Sequence, residues 1–179
     1  KGDLSMAEPL FQRALQGSEA KLGPSHPSTL TTVHNLALLL SQKGDAEGAV
    51  PLFRRAQEGF EAALGPEHPH TISCVAHLAA ALKETGDLEA AEPLLRWALR
   101  ANEEKLGSGH LATHLSRKNL ATLLDEMGEV EESEQLYRRA LEGLQTALGP
   151  NHPHTQHTRR RLNALVEHER DGGARDYTS

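Results

Sequence analysis

Eleven histidines are the residues of this 179-residue chain best able to do chemistry. Two sets are dense, His68-Pro69-His70 and His152-Pro153-His154, with His157 a helical turn further on. Zinc sites need three or four ligands converging in space, usually with thiolate or carboxylate help. Here His26, His68, His110 and His152 recur once every 42 residues. Neighbouring copies therefore lie about one structural repeat apart, and the spacing predicts that each ring packs and hydrogen-bonds in its own loop. No metal ligand is expected among them. Cys74 is alone, so it forms no intrachain disulfide and is expected as a small buried thiol inside a helix. The acid pairs Glu103-Glu104 and Glu131-Glu132 are expected on solvated helix faces, as charge patterning and not as general acid and base. There is no Gly-rich phosphate loop, no nucleophile elbow and no HExxH. The expectation is a protein with no catalysis and no cofactor, and a metal-dependent enzyme is the remote alternative.

The 42-residue period belongs to the whole chain. Leu22-Gly23-Pro24 returns at Leu64-Gly65-Pro66 and Leu148-Gly149-Pro150, with Leu106-Gly107-Ser108 in the same frame. A Gly followed by an acid recurs at Gly2-Asp3, Gly44-Asp45, Gly86-Asp87 and Gly128-Glu129. A unit of this length cannot bury its own apolar face, so copies must stack.

Each period carries two helical patterns. First helices are expected over Ser28 to Lys43, His70 to Thr85, Ala112 to Met127 and His154 to Arg170. Second helices are expected over Leu4 to Lys21, Ala46 to Ala63, Leu88 to Lys105 and Val130 to Ala147. Gly44, Gly86 and Gly128 stand where a left-handed residue ends the first helix. Asp45 and Asp87 follow as N-caps of the second. Pro27, Pro69 and Pro153 suit the first turn of the next helix. Small residues mark close approaches: Ala37, Ala79 and Ala121 in first helices, and in second helices Ala7, Ala49, Ala91 and Ser133 at one site and Ala14, Ala56, Ala98 and Ala140 at another. Phe11, Phe53, Leu95 and Tyr137 share one larger column, and alternating large and small residues lets facing helices pack densely.

These positions resemble the tetratricopeptide repeat, an antiparallel helix pair. Asn35-Leu36-Ala37-Leu38-Leu39-Leu40 is similar to its first-helix signature, and Ala49, Phe53 and Ala56 to its second. The period is longer than the usual 34 residues. It resembles the repeats of kinesin light chains, which carry Asn-Leu-Ala in the first helix and Leu-Gly-x-x-His-Pro between helices. Their second-helix motif looks like Ala7-Glu8-Pro9-Leu10-Phe11-Gln12-Arg13-Ala14-Leu15 and Ala91-Glu92-Pro93-Leu94-Leu95-Arg96-Trp97-Ala98-Leu99. The resemblance implies an all-α fold, an α-α superhelix of antiparallel helix pairs. Its expected parts are a partial repeat over 1–24, full repeats over 25–66, 67–108 and 109–150, a capping helix over 151–170 and a disordered tail over 171–179. The chain opens in register with Lys43-Gly44-Asp45, without a preceding first helix. The expectation is a fragment of a longer array whose helix Leu4 to Lys21 exposes Leu10, Phe11 and Leu15.

In such arrays the first helices line the concave groove. By register, the resemblance places Thr31, His34, Asn35 and Leu38 in the groove from the first full copy, and Ser73, Ala76, His77 and Ala80 from the second. Leu115, Lys118, Asn119 and Thr122 come from the third, and His157 and Arg160 from the last helix. Asn35 and Asn119 match asparagines that clamp a peptide backbone in kinesin light chains, while His77 and Arg161 replace them elsewhere. His34, Lys118 and Arg160 would give a basic stripe favouring an acidic or C-terminal carboxylate peptide. Asp125, Glu126 and Glu167 pull the other way.

Bulk composition narrows the partner further. The net charge of −6 and 3% aromatics supply neither a basic surface nor stacking platforms for nucleic acid. No apolar run approaches the ~18 residues of a membrane span. The expected function is a cytoplasmic protein-interaction scaffold, adaptor-like, that binds a peptide or protein in its groove. An alternative is a sensor array of a larger nucleotide-binding signalling protein. Self-association through the incomplete first repeat is a further possibility.

Overall fold

A computed structural model describes residues 4–175, and the side chains of residues 6–167. Among the described residues eight helices follow one another: α1 (Leu4–Leu22), α2 (Pro27–Gln42), α3 (Ala46–Leu64), α4 (Pro69–Glu84), α5 (Leu88–Leu106), α6 (Leu111–Met127), α7 (Val130–Leu148) and α8 (Pro153–Arg175). No strand occurs among the described residues. Helix ends agree with the expected ones to within one residue, except at α8. That helix continues to Arg175, past the expected end at 170, because Arg170 occupies the column where Gly44, Gly86 and Gly128 end the earlier first helices. The rest of the expected tail, 176–179, lies outside the described residues.

The caps explain the boundaries. Gly128 ends α6 at φ 82 and ψ 10, a left-handed conformation that a Cβ disfavours. Asp45 and Asp87 accept backbone N–H groups of Gly48 and Ala90, as expected of N-caps. Glu129, in the same column, makes no side-chain cap bond. At the other junction the cap is the recurring histidine. The Nδ1 atoms of His26, His68, His110 and His152 each accept the N–H two residues on, at 3.1, 3.2, 3.1 and 3.2 Å. This bond satisfies one of the orphan donors of a helix start and requires an unprotonated Nδ1. Thr71 and Thr113 then donate to the carbonyls of Gly65 and Gly107 at 2.8 Å, tying each helix start to the end of the helix before it. Helices α1, α3 and α5 run on through Pro9, Pro51 and Pro93.

Packing divides the chain into two compact units, residues 1–94 and 95–179, with the boundary inside α5. In the first unit α1 packs on α2, α2 on α3, and α3 on α4. Its core holds Val33, Leu36, Ala37, Phe53, Ala56, Phe60, Cys74, Val75 and Leu78, all buried. The Cys74 thiol donates to the Phe53 carbonyl at 3.4 Å, and burial pushes its pKa up to about 12, so it behaves as the apolar residue expected. On α1, Met6 and Leu10 are 69% and 68% exposed, while Phe11 and Leu15 are half-buried. Of the three residues expected to be exposed there, only Leu10 is.

In the second unit α6 packs on α7 and α7 on α8. Ala121, Tyr137 and Leu165 form a buried cluster flanked by Val130, Leu136 and Leu162. Approach is so close that a Cβ on Gly143 would overlap the His114 ring. The contact between α5 and α6 is polar. Asn102 donates to Ser116 at 2.9 Å, and buried Arg117 donates to the Ser108 carbonyl at 2.8 Å and to Glu103 at 2.6 Å. Glu103 is thus the counter-ion of a buried guanidinium, and the expectation of a merely solvated acid is corrected. Its neighbour in the same reading, Glu132, forms a two-pronged pair with Arg96 at 2.6 and 2.7 Å.

Candidate binding surface

The residues expected in the groove all lie on first helices: on α2 and α4 in the first unit, and on α6 and α8 in the second. In the first unit Thr31, His34, Asn35, Leu38, Ala76 and His77 are half-buried, and Ser73 and Ala80 are exposed. The Thr31 hydroxyl turns back to the Pro27 carbonyl at 2.9 Å. His34 and His77 are brought together, with Nε2 of the first 3.1 Å from Nδ1 of the second. Beneath them lies an aromatic floor that register alone did not assign to this surface. His34 meets Phe53 at 5.5 Å between ring centroids and Phe60 edge-on at 6.5 Å. His77 stacks on Phe53 at 5.9 Å, and His70 on Phe60 at 5.7 Å.

This setting suppresses charge. Burial, then the positive charges that His77 and His70 would carry, bring the His34 pKa down to about 4. Burial lowers that of His77 as well, against a hydrogen bond with the Ser73 backbone that favours its charged form. His34 is therefore uncharged at neutral pH and adds nothing to a basic stripe, which corrects its expected role. The physical reason is the Phe53 and Phe60 floor, which replaces water around the ring.

In the second unit Leu115, Lys118, Asn119, Thr122 and His157 are half-buried, and Arg160 is exposed. Thr122 donates to the Lys118 carbonyl at 2.9 Å and accepts the Tyr137 hydroxyl at 3.0 Å. Burial raises the Tyr137 pKa, so the phenol stays protonated. Lys118 and Arg161 occupy the columns of His34 and His77, two repeats on. Two cations cannot bond to each other, and Arg161 instead donates to Asp125 from both Nε, at 2.9 Å, and Nη2. Asp125, expected to oppose a basic surface, is thereby neutralised. His154 lies close enough to Lys118, His152 and His157 for their charges to add to burial in lowering its pKa. Of the groove cations expected here, Lys118 is half-buried and Arg160 exposed, and the acids Asp125, Glu126 and Glu167 stand on the same two helices. Sequence alone could have pointed to the His34–His77 pair, since a 43-residue separation is one period plus one residue. The partners Phe53, Phe60 and Tyr137 came disguised as core positions.

Among the described residues no group of three or more His, Cys, Asp or Glu side chains converges as a metal site, and no helix is long and apolar enough to cross a membrane.

Comparison with known proteins gives a consistent family. A tetratricopeptide repeat family model matches residues 1–62 and 33–104, and a second tetratricopeptide repeat model matches 115–154. No curated protein matches the chain. Among solved structures, the chain is similar to the nearly identical TPR-like repeats of a Podosopora anserina protein named as a kinesin light chain. That likeness has 24% identity, covers 99% of this chain and 90% of the other, and has a TM-score of 0.78. It is also similar to BtubC (BKLC) from P. vanneervenii, at 19% identity over 94% of this chain and 68% of the other, with a TM-score of 0.74. The apo form of RapI gives a TM-score of 0.82 at 15% identity, over 95% of this chain and 59% of the other. At these identities the structural likeness establishes the fold.

Proposed function

The chain belongs to the tetratricopeptide repeat family, with repeats of the kinesin light chain-like type, and we propose that it works as an adaptor whose first-helix faces hold an extended protein segment. The observation that carries this is the contrast between columns. Ala37, Ala79 and Ala121, like Ala56, Ala98 and Ala140, recur unchanged through the full repeats and are wholly buried, and only at the two ends of the array do exposed Asn163 and exposed Ala14 stand in these columns. The columns of His34 and His77 change chemistry from repeat to repeat and stay partly accessible. Packing needs the first set, and it leaves the second free to vary with a ligand. Half-buried Asn35 and Asn119 are suited to bond a peptide backbone. Lys118, His157 and Arg160 favour an acidic segment in the second unit. The scaffold would do no chemistry of its own and would act in the cytoplasm.

A peptide-display selection against the full chain tests this. The expected result is a set of acidic sequences whose affinity falls about tenfold or more in Lys118→Glu/Arg160→Glu, as loss of close charge pairs does. Selected peptides whose affinity is indifferent to these changes, but sensitive to substitutions on the exposed faces of α3 and α7, would overturn it.

A further inference from the structure

We propose that His34 Nε2 and His77 Nδ1 form a two-imidazole site for a borderline divalent cation such as Zn²⁺. The two nitrogens face each other across α2 and α4 at 3.1 Å, with ring planes inclined at 51° and centroids 5.1 Å apart. Two imidazole nitrogens bound to one tetrahedral zinc at about 2.0–2.1 Å stand about 3.3 Å from each other. The observed pair thus needs to open by only a few tenths of an ångström. In the resting pair one nitrogen carries the shared proton and the other accepts it. To bind, the protonated ring moves that proton to its other nitrogen, so both facing lone pairs turn to the ion and no proton is released.

Two features make the pair a better ligand set than the denser His-Pro-His segments. Nδ1 of His68 and of His152 is already engaged in capping a helix, whereas the facing nitrogens of His34 and His77 meet each other. The stacking of His77 on Phe53, and of His34 against Phe53 and Phe60, holds the two rings side by side before an ion arrives. With two protein ligands the ion keeps open positions, which water or a carboxylate or imidazole of a bound segment completes. The site thereby offers recognition of a metal-binding side chain in a partner, independently of whether the partner is acidic.

Titration of chelator-treated full-length protein with Zn²⁺ at neutral pH, followed calorimetrically, tests the site. One ion per chain is expected. His34→Gln and His77→Gln should each weaken it at least tenfold, since losing even an outer-shell partner costs about 10–100-fold. The double substitution should add little. His154→Gln should leave the site intact. Because a core-facing histidine change can disturb folding, long-range ¹H–¹⁵N spectra of the wild-type imidazoles supply a second reading. Zn²⁺ should move the His34 and His77 ring nitrogens first. No binding by the wild type, or shifts confined to other histidines, overturns the proposal.

Discussion

The contact of α3 with α4 and that of α5 with α6 are built on the same columns from opposite chemistry. In the first, Phe60, Cys74 and Val75 are buried and apolar. One repeat on, the same columns hold Asn102, Ser116 and Arg117, also buried. The threonine that ties the helices is unchanged, since Thr71 and Thr113 make the same bond to Gly65 and Gly107. The backbone arrangement thus tolerates exchange of an oily contact for a polar one, provided that every polar group finds a partner. Asn102 has Ser116, and Arg117 has Glu103 and the Ser108 carbonyl. The two contacts should therefore fail differently: the apolar one by losing volume, the polar one by losing a partner.

The largest expected effect is on the apolar side. Phe60→Ala removes a ring packed against His34 and His70 and should cost about 3–5 kcal/mol, read from denaturant midpoints. On the polar side, Glu103→Ala leaves Arg117 short of its counter-ion and should cost about 1–3 kcal/mol, with Arg117→Val in the same background restoring much of it. The sharper version uses Glu61, the exposed equivalent of Glu103. Glu61→Ala should stay within about 0.5 kcal/mol, because no buried cation waits for it. Equal costs at the two glutamates would break the comparison.

How far these features could be read beforehand follows from what each residue signals locally. Helix ends were legible because Gly, Pro and Asp act through backbone geometry that the residue itself fixes. The alanines that recur through the full repeats were legible because close approach admits nothing larger there. Arg117 was not, since a lone arginine in a valine column says nothing about whether Glu103 fourteen residues earlier reaches it. His34 was legible as a surface residue but not as a neutral one, because its charge depends on Phe53 and Phe60 beneath it. Glu129 shows that the column alone does not make a cap, since this longer acid in the place of Asp45 and Asp87 makes no side-chain cap bond.

Acid should separate the imidazole pair from its cationic counterpart on α6 and α8. His34 titrates near 4 in the folded chain, below its ordinary value of 6.5. As pH falls from 6.5 toward 4, the unfolded chain takes up a proton that the folded chain refuses, so the contribution present above 6.5 is lost across that window. The loss should be about 1–3 kcal/mol, and His34→Gln should flatten the stability profile there. An unchanged slope in His34→Gln would mean that the ring is not protected. A smaller effect than that of acid is expected at the caps. His68→Ala should cost about 1 kcal/mol by freeing the His70 N–H, and His68→Asn, an alternative cap, should cost less.

The central claim is that recognition resides on the first helices, in the columns that vary. Its most direct measurement is the map of backbone amide shifts when a display-selected peptide is titrated into the full chain. The account predicts shifts concentrated on α2, α4, α6 and α8, with the amides around His34, His77, Lys118, Asn119 and Arg160 moving most. Shifts concentrated instead on the exposed faces of α3, α5 and α7, with those amides unmoved, would contradict it.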